Sequence, residues 1–248
     1  MNKISVGLQL YTVRDECTKD FVGTLKKVAK IGYKGVELAG SYSLSGAELK
    51  KVLNDLGLKC AGNHMPRERD LRKLIDLNSE LGCSYVWGRC LPEDELPVDE
   101  AGCIAMAAYA NKVGVELQKN GIHLCYHNHS QEFEKIKGKY ILDWLYENTA
   151  PELLMSEIDV MWVQYAGIDP ASYIRKYPGR CPLVHIKDMD TNRSFTEVGE
   201  GILDFNSIFS ACEEVGTKWY IVEQDVCKRP SIESARMSFE YFKSRDMV

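Results

Sequence analysis

The 248-residue sequence contains no Cys-x-x-Cys pair, no excess of positive charge and only five histidines. It also lacks any apolar run of about 18 residues, the length that would suggest a membrane-spanning helix. Nine cysteines, at positions 17, 60, 83, 90, 103, 125, 181, 212 and 227, are odd in number and scattered. That pattern argues against a disulfide framework and against a zinc finger, and reduced thiols point to the cytoplasm. Met1 to Leu8 enters a strand-like run at once, with neither the apolar length nor the cleavage site of a signal peptide. With 31 basic against 36 acidic residues the formal charge is −5. This is the wrong sign for a protein that holds nucleic acid by neutralising phosphates, so a small-molecule partner is expected. No Pro/Ser-rich linker or low-complexity tract divides the chain, and a single domain over residues 1–248 is expected. The Gly199-Glu200-Gly201 loop has the spacing of neither a P-loop nor a dinucleotide fingerprint.

What is present is an alternation. Short apolar runs at Ile4–Leu10, Gly35–Ala39, Lys59–Met65, Tyr85–Arg89, His123–His129, Leu153–Asp159, Leu183–Asp188 and Trp219–Asp225 read as strands. Amphipathic stretches at Lys19–Ile31, Ser45–Leu56, Arg67–Leu81, Asp99–Asn120, Asp204–Val215 and Ser231–Lys243 read as helices. Glycines 32, 57, 82, 121 and 216 follow five of them as stop signals, and Ser45 with Glu48 forms a capping box. Eight strands alternating with helices predict an α/β fold with a parallel sheet, and eight is the number that closes a (β/α)8 TIM barrel. An open doubly wound sheet is the competing architecture.

Barrel sites lie at the C-terminal ends of the strands. All five histidines fall in the strand runs, and four lie near strand ends. The last four strands bring His127, Asp159, His185 and Glu223 toward one mouth. Imidazole mixed with carboxylate suits one divalent transition metal: manganese first, then zinc, iron or cobalt. The opposing reading, polar residues that merely cap strand ends, leaves four such groups buried without compensation, at high cost.

The segments Gly7-Leu8-Gln9-Leu10-Tyr11-Thr12-Val13-Arg14-Asp15, Tyr126-His127-Asn128-His129, Ile158-Asp159-Val160-Met161-Trp162, Val184-His185-Ile186-Lys187-Asp188 and Val222-Glu223-Gln224-Asp225 together resemble the xylose isomerase-like barrels, the sugar phosphate isomerase/epimerase group. The resemblance covers essentially the whole chain. It implies a metal held by four residues from the fifth to eighth strands, with Asp159, His185 and Glu223 matching the last three. The first position, commonly glutamate in a Glu-Asn-His motif, is His127 here, and Glu132 is the carboxylate that could fold back instead. The implied chemistry is removal of a proton beside a keto-sugar carbonyl through an enediolate, with the base drawn from His127, Glu132 or Glu223 and Lys187 as acid or electrostatic stabiliser. Reprotonation gives epimerisation or isomerisation. Loss of a β-substituent gives a lyase, dehydratase or 3-keto-glycoside-cleaving enzyme, and the His-Asn-His variant resembles members with that chemistry.

Around this centre His64 and His129 are candidates for substrate hydroxyls. Glu37 either does the same or orients a ligating histidine. Trp162 stacks on a sugar face or simply packs, and Arg89 could clamp an anionic group. Lys187 is otherwise a solvated lysine past a strand end. The resemblance also implies self-association through the mouth. The competing functions are a non-catalytic sugar-binding barrel and an abasic-site endonuclease. The latter needs about three metals and a basic groove, against which the acidic balance and scarce histidines weigh.

Overall fold

Strands buried at most positions on both faces must be covered on both sides and paired on both edges, which a closed parallel sheet wrapped in helices achieves. The computed structural model, which describes residues 3–40, 43–64, 70–87 and 96–248, has that form. Its barrel strands are β1 (Ser5–Gln9), β2 (Gly35–Ala39), β3 (Lys59–His64), β4 (Tyr85–Trp87), β5 (His123–His127), β6 (Leu154–Asp159), β7 (Leu183–Ile186) and β8 (Trp219–Val222). Each pairs in parallel with the next, and β8 returns to β1, so the barrel closes as expected. The open doubly wound alternative is excluded.

The helices are α1 (Arg14–Lys19), α2 (Phe21–Ile31), α3 (Gly46–Asp55), α4 (Leu71–Leu81), α5 (Glu100–Gln118), α6 (Ile141–Glu147), α7 (Val160–Tyr165), α8 (Pro170–Arg175), α9 (Phe205–Val215) and α10 (Ser231–Ser244). The capping box at Ser45 and Glu48 forms as read, and Asp20, Asp70, Asp99 and Asp204 cap α2, α4, α5 and α9 with their side chains. Gly82 and Gly216 end α4 and α9 in the left-handed conformation at φ 71° and 83°. That is a geometry a Cβ opposes.

Four short helices, α1, α6, α7 and α8, stand where no helix is expected. The run Gly35–Ala39 is matched residue for residue, five other strand runs prove one to three residues too long, and Met65 at the end of the third lies outside the described residues. β5 stops at His127 because Asn128 turns sideways: its Oδ1 accepts from the Asp159 backbone N–H at 3.0 Å, tying the ends of β5 and β6 together. Past β7, Asp188–Met189 leaves the barrel to form a small antiparallel ribbon with Phe195–Thr196. The buried Asp188 carboxylate then accepts backbone N–H groups of Gly199, Gly201 and Leu203 at 3.0, 2.9 and 3.3 Å, fixing the loop before α9. The expected continuations of β4 to Arg89 and of α4 from Arg67 lie outside the described residues.

Candidate active site at the barrel mouth

Register explains how distant residues meet. Gln9 pairs with Glu37 across β1 and β2, His127 with Glu157 across β5 and β6, and Asp159 with His185 across β6 and β7. Glu157 and Asp159 are two residues apart, so both side chains leave the same face of β6 at successive levels. Two sets of donor atoms result, each within 4.8 Å: an upper set of His127, Asp159, His185 and Glu223, and a deeper set of Glu37, His64, Glu157 and His185.

His185 joins them. Its Nδ1 lies 2.8 Å from Glu223 Oε2, and its Nε2 lies 2.6 Å from Glu37 Oε2 and 2.9 Å from Glu157 Oε1. Burial alone would depress its pKa, but Glu37, Glu157 and Glu223 reverse the sign and hold it well above the ordinary value. His64 Nε2 reaches Glu157 Oε2 at 3.0 Å and its pKa is also raised, Glu37 and Glu157 overcoming burial. Burial drives Glu37 up to about 7, with the Glu157 charge acting in the same direction. Glu157 goes the other way: burial is outweighed by His64 and His185, and its pKa falls well below the ordinary range.

Lys187 is not solvated. Only 1% exposed, its ammonium lies 3.0 Å from Asp159 Oδ2, 2.7 Å from Glu223 Oε2 and 2.9 Å from Asp225 Oδ1. Those carboxylates outweigh burial and raise its pKa, while burial, opposed by Lys187 and His185, leaves Asp159 raised to about 6. Burial and then neighbouring His185 keep His127 neutral, the form in which imidazole binds metal.

Asp159 uses its two oxygens differently. Oδ1 caps α7, accepting from the backbone N–H groups of Met161 at 3.0 Å and Trp162 at 3.1 Å. Oδ2 is buried and faces the Lys187 ammonium at 3.0 Å and His127 Nε2 at 3.8 Å. A neutral imidazole nitrogen and a carboxylate oxygen turned toward each other are donors fitted to a divalent transition metal. The residues present therefore fit the metal that the resemblance implies.

A model of the family described as the xylose isomerase-like TIM barrel matches residues 25–245. The chain belongs to this family. Two solved structures called sugar phosphate isomerase/epimerase, both from Parabacteroides distasonis, superpose closely on this xylose isomerase-like barrel. One has a TM-score of 0.88 and 28% identity, covering 100% of this chain and 96% of that one. The other has a TM-score of 0.85 and 24% identity, covering 99% of each. Among curated proteins, the inosose dehydratase of Geobacillus kaustophilus is 25% identical over 92% of this chain and 87% of its own length. Within the xylose isomerase-like superfamily the chain is an enzyme of the isomerase/epimerase or lyase kind.

One expected site residue falls elsewhere, and another is not described. Glu132 does not fold back: its Oε1 accepts from the Tyr126 hydroxyl at 3.1 Å and its Oε2 from the His129 backbone N–H at 2.8 Å. Both oxygens are committed to shaping the loop after β5, and Glu132 belongs to neither donor set. Arg89 lies outside the described residues. His129 lies beside the upper set, its ring 5.0 Å from that of His127 and 5.8 Å from that of Trp162. Burial depresses its pKa against the pull of Glu132. Trp162 packs edge-on against Phe195 and Tyr165, and its indole N–H is buried without an acceptor among the described residues, as is that of Trp87 beside His64.

Sequence reasoning assigns no role to Glu157 or Gln9. Period-2 alternation was the available signal for Glu157, since it shares the face of Asp159. For Gln9 the signal was its position at the end of the first strand, and here its Nε2 donates to Glu37 Oε2 at 2.8 Å. Room for the Glu37 carboxylate comes from β3, where the pairing slips by one residue and sets Gly62 opposite Glu37. A Cβ on Gly62 would overlap Glu37 Oε1.

Proposed function

We propose that the protein is a divalent-metal-dependent lyase acting on a keto-sugar or keto-cyclitol, removing the proton beside the ketone and expelling the substituent one carbon further on. The carrying observation is that the groups around the upper set are unlike: a locked ammonium, Lys187, and a half-buried imidazole, His129. Epimerisation asks for comparable acid–base groups on opposite faces of one carbon. Elimination asks for one base and one donor to the departing oxygen. Curated relatives named inosose dehydratase agree with this reading.

In this reading His127, Asp159, His185 and Glu223 hold one divalent transition metal, manganese first. Bound there, the ion polarises the ketone and its neighbouring hydroxyl. His129 takes the proton, and Lys187, freed from Asp159 and Glu223 as the ion takes up those carboxylates, gives a proton to the leaving oxygen, which departs as water or an alcohol; Lys187 regains a proton from His129 through solvent. His64 binds a ring hydroxyl from the mouth. The indole N–H groups of Trp87 and Trp162, lacking acceptors, are further donors to substrate oxygens. Glu37 positions His185 through Nε2. The chain works in the cytoplasm, where scattered thiols remain reduced, as a homo-oligomer and without a nucleic-acid partner.

The 28% identity to a protein called sugar phosphate isomerase/epimerase favours a second reading, in which the same proton abstraction ends in epimerisation or isomerisation. One experiment separates them. A panel of inososes, 3-keto-glycosides and ketoses is incubated with protein and Mn2+ in D2O and followed by proton NMR. Elimination gives an unsaturated ketone and a released substituent; epimerisation gives deuterium in a recovered sugar. Both signals should vanish with EDTA and in Asp159→Ala. No metal-dependent change with any member of the panel would refute both readings.

A further inference from the structure

We propose that the deeper set, Glu37, His64, Glu157 and His185, binds a divalent ion of its own, distinct from the one held by the upper set. Four strands, β2, β3, β6 and β7, each contribute one donor, and the four ligand atoms lie within 4.8 Å of one another. The individual separations are 2.6 Å from His185 Nε2 to Glu37 Oε2, 2.9 Å from it to Glu157 Oε1, 3.0 Å from His64 Nε2 to Glu157 Oε2 and 3.4 Å from His64 Nε2 to Glu37 Oε2. Donors bound to one ion at about 2.0–2.2 Å stand about 3 Å from each other, and two imidazoles with two carboxylates are a common set for zinc and its neighbours.

The charges differ between the two sets. The upper carboxylates Asp159 and Glu223 share the Lys187 ammonium. The ion pairs of Glu37 and Glu157 among the described residues are with His64 and His185 alone, and both carboxylates are fully buried. Two buried carboxylates need two positive charges nearby. One divalent ion at the centre of the four donors supplies both, and the donors are already arranged to take it. Glu37 Oε1, buried and without a hydrogen-bond partner, marks the same need. Binding the second ion at Nε2 displaces the remaining ring proton of His185 to solvent, so one ring links the two ions. With four protein donors the deeper ion has a closed shell. Its role is to fix the orientation of His185, leaving the open position to the upper ion.

This rests on the proposed function only in taking His185 as a ligand of the upper set, and the test keeps the two apart. The chain is stripped with EDTA, dialysed against Zn2+ alone, and its zinc counted per chain by mass spectrometry of the digested protein. Asp159→Ala disables the upper set, while His64→Ala and the isosteric Glu37→Gln disable the deeper one; circular dichroism verifies that each variant is folded. The expected result is two zinc ions in the wild type and one in each variant. If Asp159→Ala removes all the zinc while His64→Ala and Glu37→Gln keep the wild-type amount, the deeper site is refuted and the upper one stands. If the wild type holds one ion that survives Asp159→Ala and is lost in the other two, the deeper site stands and the upper ligand set falls. A chain that binds no zinc refutes both.

Discussion

Replacing Lys187 with methionine keeps the aliphatic length and removes the charge. The ammonium lies within 3.0 Å of three carboxylates and is almost wholly buried. At an effective dielectric of about 20, one pair at that distance has a gross attraction of about 5 kcal/mol, most of which offsets the desolvation of the partners. Taking away one partner of a buried ionic cluster leaves the others charged and unpaired, or forces them to take up protons, at a net cost of about 3–5 kcal/mol. For a chain of this size that is a fall in Tm of about 6–20 °C. Urea unfolding of the EDTA-treated variant at neutral pH measures it directly. Mn2+ should restore part of the loss, because a divalent ion supplies charge to Asp159 and Glu223. A loss below about 1 kcal/mol, or one untouched by Mn2+, would refute the assignment of Lys187 as the internal counter-charge of the upper set.

Gly62→Ala should destabilise the protein by about 1–3 kcal/mol, because the new methyl overlaps a Glu37 carboxylate already fixed by Gln9 and His185; an unchanged thermal midpoint would show that Glu37 can move aside. Ser45→Ala removes the cap of α3 and should cost about 1 kcal/mol in urea unfolding, with no effect on metal content. Asp143 gives a pH signature far from the mouth: burial pushes its carboxyl up, but Lys176 at 2.7 Å, Tyr177 at 2.6 Å and Tyr173 at 2.8 Å outweigh it and hold it below its ordinary 3.8. A lowered folded pKa means stability that is present above pH 3.8 and lost as pH falls further toward the folded value. Asp143→Asn should therefore lie below wild type near neutrality and converge with it in acid; a constant gap across pH would contradict this.

The barrel was legible because its signals are local and repeated. Gly82 and Gly216 terminate helices, Ser45 and Glu48 start one, and most strand runs are short apolar stretches that turn polar at their C-terminal ends. The short helices were not legible. α7 and α8 have six residues each, too few to show a 3.6-residue period, and α7 begins on the residue after a strand end. At the site, strand-end position pointed to His127, Asp159, His185 and Glu223, which the fold brings together. Glu157 lies one level beneath the strand end, where position alone says nothing. Glu132 misled because five residues of chain could reach either the mouth or the loop. What decides is the pair of donors, the Tyr126 hydroxyl and the His129 amide, that only the folded loop assembles.

The cap that Asp159 provides to α7 restricts the inorganic chemistry open to the mouth. Two backbone amides tether Oδ1, so this carboxylate can offer an incoming ion only Oδ2. Chelation through both oxygens is denied, and with it one means of reaching the seven or eight contacts that large ions such as calcium favour. Lengthening the side chain to glutamate would not relax the constraint, since it would pull the tether off the helix. Ion selectivity and the first turn of a helix are thus written into a single residue, and neither can drift without the other.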